Sequence, residues 1–73
     1  MNHLYKLHKT ELLSSLKPVI ISTATRVWQA KGLLMDTIID KVDTLDESID
    51  GMTKGQIIEM YKTYIESERN LIK

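Results

Sequence analysis

The sequence predicts an all-α chain of three helices. Three observations carry this. Apolar residues recur at three- and four-residue intervals over most of the 73 positions, and the strong breakers are few and isolated at Pro18, Gly32, Gly51 and Gly55. A helix-start signature, Thr53-Lys54-Gly55-Gln56, begins two residues after Gly51. No repeat, low-complexity tract or long linker divides the chain, so residues 1–73 are expected to form one small helical domain.

The first helix is expected to place Leu4, Leu7, Leu12, Leu13 and Leu16 on one stripe, with Asn2 as its N-cap. Pro18 has no N–H to donate and disfavours helical geometry at Lys17. The reading therefore ends this helix near Leu16 and starts another with Pro18 in its first turn.

The second helix is expected to be long, about 18–49. With Ile21 as heptad position a, the a positions continue through Trp28, Met35, Val42 and Ile49; the d positions are Ala24, Lys31, Ile38, Leu45 and Met52. Lys31 alone among these ten is not apolar. Ile20, Val27 and Leu34 widen the stripe beyond a two-stranded seam. Gly32 is a possible fault, where the helix would break and fold back. No other turn residue surrounds it, which favours an unbroken rod. Such a rod would be roughly 48 Å long, against a radius of gyration of about 11 Å for a compact chain of this length. A monomer could not cover it, so completion of a helical bundle by homodimerisation is expected, through Ile21, Trp28, Met35, Ile38, Val42 and Leu45.

Between the second and third helices lies DTLDESIDGMTKGQ, residues 43–56. Its density of carboxylates invites comparison with a calcium loop. The ligand spacing of an EF-hand is not met from Asp40, Asp43 or Asp46, however, and the stretch reads as a turn. Gly51 is expected at a left-handed C′ position, and Thr53 with Gln56 as a capping box. The third helix then runs from Lys54 to about Leu71, with Ile57, Tyr61, Tyr64 and Leu71 on one face and Ile58, Ile65 and Ile72 beside them. Gly55 in its first turn would admit close approach of the preceding helix. Trp28 is read as a core or interface anchor, and Met35, Met52 and Met60 as core filling.

Composition narrows the chemistry. There is no cysteine, which removes disulfides, thiolate metal sites and a cysteine nucleophile together. His3, His8 and Glu11 are the only candidates for a metal or acid–base cluster, and His8 with Glu11 at i and i+3 would need a second pair from another helix. They read more simply as surface polar residues. No serine sits in a nucleophile elbow and no glycine-rich phosphate loop exists. The expectation is a non-enzymatic protein with no catalytic residue, no metal and no cofactor. MNHLYKLHKTELL lacks the apolar run of a signal peptide, and no window approaches the roughly 20 apolar residues of a membrane span, so a cytoplasmic protein with no membrane partner is expected. Nine isoleucines and eight lysines against two alanines and two arginines suggest an AT-rich genome, bacterial or phage.

Net charge is zero but polarised. Lys6, Lys9, Lys17, Arg26 and Lys31 face only Glu11 in residues 1–31, whereas nine carboxylates face three lysines in residues 32–68. On a helix Asp36, Asp40, Asp43, Glu47 and Asp50 fall on one face, opposite the apolar stripe. The functional expectation is a small regulatory or accessory protein that binds an unidentified protein partner through this acidic face. The alternative is a nucleic-acid-associated factor using Lys6, Lys9, Lys17, Arg26 and Lys31. The helix–turn–helix suggested by the last two helices is disfavoured, because Glu59, Glu66 and Glu68 lie among the cations of the supposed recognition helix.

Overall fold

The computed structural model describes residues 8–72, which form three helices: α1 (Lys9–Ala30), α2 (Met35–Asp50) and α3 (Lys54–Ile72). The fold is all-α. Asn2, His3, Leu4, Lys6 and Leu7, named above, lie outside the described residues.

The helix boundaries differ from expectation at both ends of the proposed central rod. α1 does not stop before Pro18; it runs straight through it for 22 residues. A proline in a helix interior costs about 3 kcal/mol, from a lost hydrogen bond and a clash with the carbonyl four residues back. Here that carbonyl belongs to Ser14, and Ser14 and Pro18 are both exposed, so water can serve the freed acceptor. On the opposite side Leu12, Leu16, Ile20 and Ala24 are buried. Each fully buried leucine or isoleucine contributes about 1.5–3 kcal/mol. Several of them, lying on both sides of Pro18, outweigh one missing bond.

The second difference is at Gly32, where the expected rod is broken. Gly32 has φ +85°, in the left-handed region. Its N–H donates to the Gln29 carbonyl at 3.0 Å, and the N–H of Leu33 donates to the Trp28 carbonyl at 3.2 Å. These two bonds make a Schellman motif, which ends a helix with glycine at C′ and an apolar residue after it. One glycine is therefore enough, and the lack of further turn residues does not favour a continuous helix. Two residues later α2 begins, with no side-chain cap at Leu34 but with Asp36 in its first turn.

The turn from α2 to α3 follows the sequence more closely. The Thr53 N–H donates to Gln56 Oε1 at 2.9 Å, and the Gln56 N–H donates to Thr53 Oγ1 at 3.3 Å, the reciprocal pair of a capping box. Gly51 is not left-handed as expected: at φ −90° it leaves the helix through three-residue bonds, its N–H donating to Ser48 and that of Met52 to Ile49. Nor does Gly55 admit a neighbouring helix, since a Cβ there would meet nothing within 4 Å.

α1 packs against both other helices, more extensively against α3. One core cluster joins all three, from Leu12, Leu16, Ile20 and Ala24 of α1, Leu45 and Ile49 of α2, and Ile57 and Ile58 of α3. α2 runs antiparallel to α1, so that Lys17 meets Asp46 and Asp50 while Trp28 lies beside Lys41. α3 returns in the direction of α1, and Arg26 forks onto Glu68, its Nη2 donating to Oε1 at 3.3 Å. The Arg26 hydrogen bond holds the Glu68 carboxyl below its ordinary value and raises the guanidinium. The principal dimensions are 37 × 28 × 14 Å. A molecule so thin leaves flanks of every helix uncovered. Among the described residues no helix is long and apolar enough to cross a membrane.

Candidate protein-binding surface

The acidic residues singled out above stand where helical periodicity puts them. Asp36, Asp40, Asp43, Glu47 and Asp50 are all exposed, on the side of α2 opposite buried Ile38, Leu45 and Ile49. They differ in what they already hold. Asp50 accepts from Lys17 Nζ at 2.8 Å and its backbone carbonyl accepts from Lys9 Nζ at 2.9 Å. Asp46, just off the stripe, pairs with the same lysine, and its hydrogen bond and that of Asp50 raise the Lys17 ammonium above its ordinary value. Asp36, Asp40, Asp43 and Glu47 form no ion pair among the described residues. Over about three turns, α2 therefore presents four carboxylates that pair with no cation among the described residues.

The basic residues of the first third are used differently. Lys9 and Lys17 are tied to the end of α2, and Arg26 to Glu68, Ser22 and Thr23. Lys31 is exposed beside the Gly32 turn. The cations expected to form one patch are thus mostly engaged in joining α1 to its neighbours.

Beside the acidic stripe lies a groove that no sequence pattern announced. It has a volume of about 580 Å³. Trp28 of α1, Leu45 of α2, and Met52 and Met60 give it an apolar lining. Thr37, Lys41, Thr44 and Ser48 form its α2 wall and Asp40 its lip. The Trp28 ring meets Tyr64 edge-on, with centroids 6.2 Å apart, and the Lys41 ammonium lies 5.7 Å from the ring centroid. A second depression continues past Met52 and Met60 along α3 to Gln56, Glu59 and Thr63. Trp28, Met52 and Met60 come from three separate segments, so only the packing of α2 and α3 on α1 brings them together.

The six residues expected at a dimer interface do not share one face here. Ile38 and Leu45 are buried within the monomer, Ile21, Trp28 and Val42 are half-buried, and Met35 is 56% exposed. The break at Gly32 divides them between two helices. What remains uncovered is an apolar corner at the start of α2, where Leu34 is 76% and Ile39 52% exposed beside Met35. His8 and Glu11 are exposed at the start of α1, His3 lies outside the described residues, and no three histidine or carboxylate side chains gather among the described residues to hold a metal. Compared with protein-family models, characterised proteins and solved structures, the chain matches none.

Proposed function

We propose that this chain is a small non-enzymatic regulatory or accessory protein that acts by binding another protein through the acidic face of α2. The observation that supports this most directly is the line of Asp36, Asp40, Asp43 and Glu47, exposed and in no ion pair among the described residues. Charges arranged this way steer encounter with a basic partner and select against acidic ones. A nucleic-acid role is less well supported. Lys9, Lys17 and Arg26 hold the protein's own carbonyl and carboxylate groups, and phosphate binding would have to displace these.

The test is affinity capture by the purified protein compared with a double variant, Asp40→Lys with Glu47→Lys. Both positions are exposed, so folding is expected to change by less than about 0.5 kcal/mol. A specific partner retained by the native chain and lost from the variant is the expected result. If every captured protein stays bound to the variant, the acidic-face reading is wrong.

Self-association, expected from the sequence, has a different surface to use in this fold. We place it at the corner of Leu34, Met35 and Ile39, the large apolar side chains grouped and exposed at one end of α2. Sedimentation equilibrium of the native chain and of Ile39→Lys tests this. The native chain is expected to gain mass with concentration, and the variant to remain a monomer. A native chain that is monomeric throughout removes the homodimer.

A further inference from the structure

We infer that the groove over Trp28 is a seat for one basic amphipathic helix of a partner protein, with Asp40 at its lip and the other exposed α2 carboxylates further around that helix. The inference rests on the protein-binding reading above and names the chemistry of the partner. The argument begins with length. The α2 wall from Thr37 to Ser48 consists of Thr37, Lys41, Thr44 and Ser48, at helical spacings of four, three and four, a run of about 16 Å. A helix of three to four turns has the same length, and its apolar residues at i, i+4 and i+7 would all fall within it. The depression has a volume of about 580 Å³ and is broadly open to solvent, which suits a helix laid on a surface better than an enclosed small molecule.

Chemistry supplies the second step. The floor of Trp28, Leu45, Met52 and Met60 is apolar and, through its methionines, adaptable, which suits aliphatic anchors of varied shape. Tryptophan, which here lines the groove, is among the residue types that dominate interface energy.

Charge decides the sign of the partner. The side chains lining the groove and its continuation include the carboxylates Asp40 and Glu59 and one cation, Lys41. Asp36, Asp43 and Glu47 stand one step further around α2 and repeat at the same pitch as the wall. A helix seated in the groove therefore borders Asp40 directly and has Asp36, Asp43 and Glu47 on the adjoining face of α2, none of them in an ion pair among the described residues. Lysine or arginine on its flank is attracted there, and glutamate is repelled. An acidic or neutral helix could use the floor but not these carboxylates.

The experiment uses the sole tryptophan of the chain as its reporter. The probe is a designed, tryptophan-free helical peptide of about four turns, with leucines at i, i+4 and i+7 and lysines on both flanks. Three peptides are titrated: this one, its counterpart with glutamate on the flanks, and a scrambled lysine peptide of equal composition. The lysine helix is expected to shift Trp28 emission to the blue, to bind less tightly as salt rises, and to bind best of the three. Met60→Gln is expected to weaken it about tenfold or more. Thr44→Tyr, at an exposed position where the ring would fill the groove, should do the same, with circular dichroism showing that both variants remain folded.

Equal binding of lysine and glutamate peptides would overturn the proposal, as would equal binding of the scrambled peptide. A Trp28 shift that grows with protein concentration alone would assign the groove to a second copy and overturn it too. If the lysine helix binds and is lost with Asp40→Lys and Glu47→Lys, but ignores Met60→Gln and Thr44→Tyr, the groove is rejected while the acidic face stands.

Discussion

Replacing Ile20 with alanine is expected to remove 2 kcal/mol or more of stability, in the range of about 2–5 kcal/mol found for isoleucine-to-alanine changes in cores. Ile20 has no exposed surface and belongs to the one cluster that joins all three helices. The substitution would open a cavity inside that cluster, where the surroundings relax only partially. A domain of this size has only a few kcal/mol in hand, because a single small core barely exceeds the chain entropy opposing it. Most of the population should therefore be unfolded or partly unfolded at 37 °C. Urea denaturation followed by helical circular dichroism measures this directly. Val19→Ala, one residue away and 38% exposed, serves as the control and is expected to cost well under half as much. A loss below about 1 kcal/mol for Ile20→Ala would mean that α1 does not sit between the other two helices as described.

Pro18→Ala should act in the opposite direction, raising stability by about 2–3 kcal/mol. The position is exposed and lies inside a helix that is already continuous, so alanine restores an N–H to Ser14 and removes a ring clash without disturbing the core. In a domain of this size each kcal/mol corresponds to about 4–8 °C, so a melting temperature at least about 8 °C higher is expected. An unchanged or lower melting temperature would show that α1 uses the proline, for example as a bend that fits it to α2 and α3. This substitution is also the sharpest test of the most prominent misreading of the sequence. Pro18 has the strongest local signal for a helix end and does not mark one.

Much of the fold was readable, but the punctuation was weighted in reverse. Proline acts on one hydrogen bond, and the apolar residues on both sides of Pro18 share a face that is buried whether or not that bond forms. Local grammar loses there to packing. At Gly32 the heptad pattern was satisfied equally by a rod and by a hairpin, because Ile38 and Leu45 need burial but not against any particular chain. The deciding feature was short: a glycine followed by an apolar residue, the signature of a Schellman end, which the longer pattern obscured. The turn at Gly51–Gln56 was legible because its bonds are local, Thr53 to Gln56 and back.

The surface divides in the same way. The acidic stripe needed only the periodicity of one helix, so its exposure could be read from residues 36–50. The groove needed the angle between two helices over a third. Trp28, Met52 and Met60 are 24 and 8 residues apart in sequence, and no spacing rule connects them. A solitary tryptophan on a stripe that also carries methionines is the one available signal; it reads as a core or interface anchor, and the methionines as core filling.

The Schellman end at Gly32 has a further consequence for how copies of this chain can combine. The contacts between α1 and α2 do not depend on which molecule supplies each helix; only the turn at residues 31–34 requires them to come from the same one. If that turn straightens, α1 and α2 become one helix of about 63 Å, and two molecules can exchange their arms and restore every seam between them. In the folded-back form Gly32 takes its left-handed φ without the steric penalty another residue would meet. A side chain at position 32 would raise the closed form alone, by about 1–2 kcal/mol. One backbone angle, the left-handed φ of Gly32, therefore sets whether α1 and α2 fold back on each other or run on as one helix.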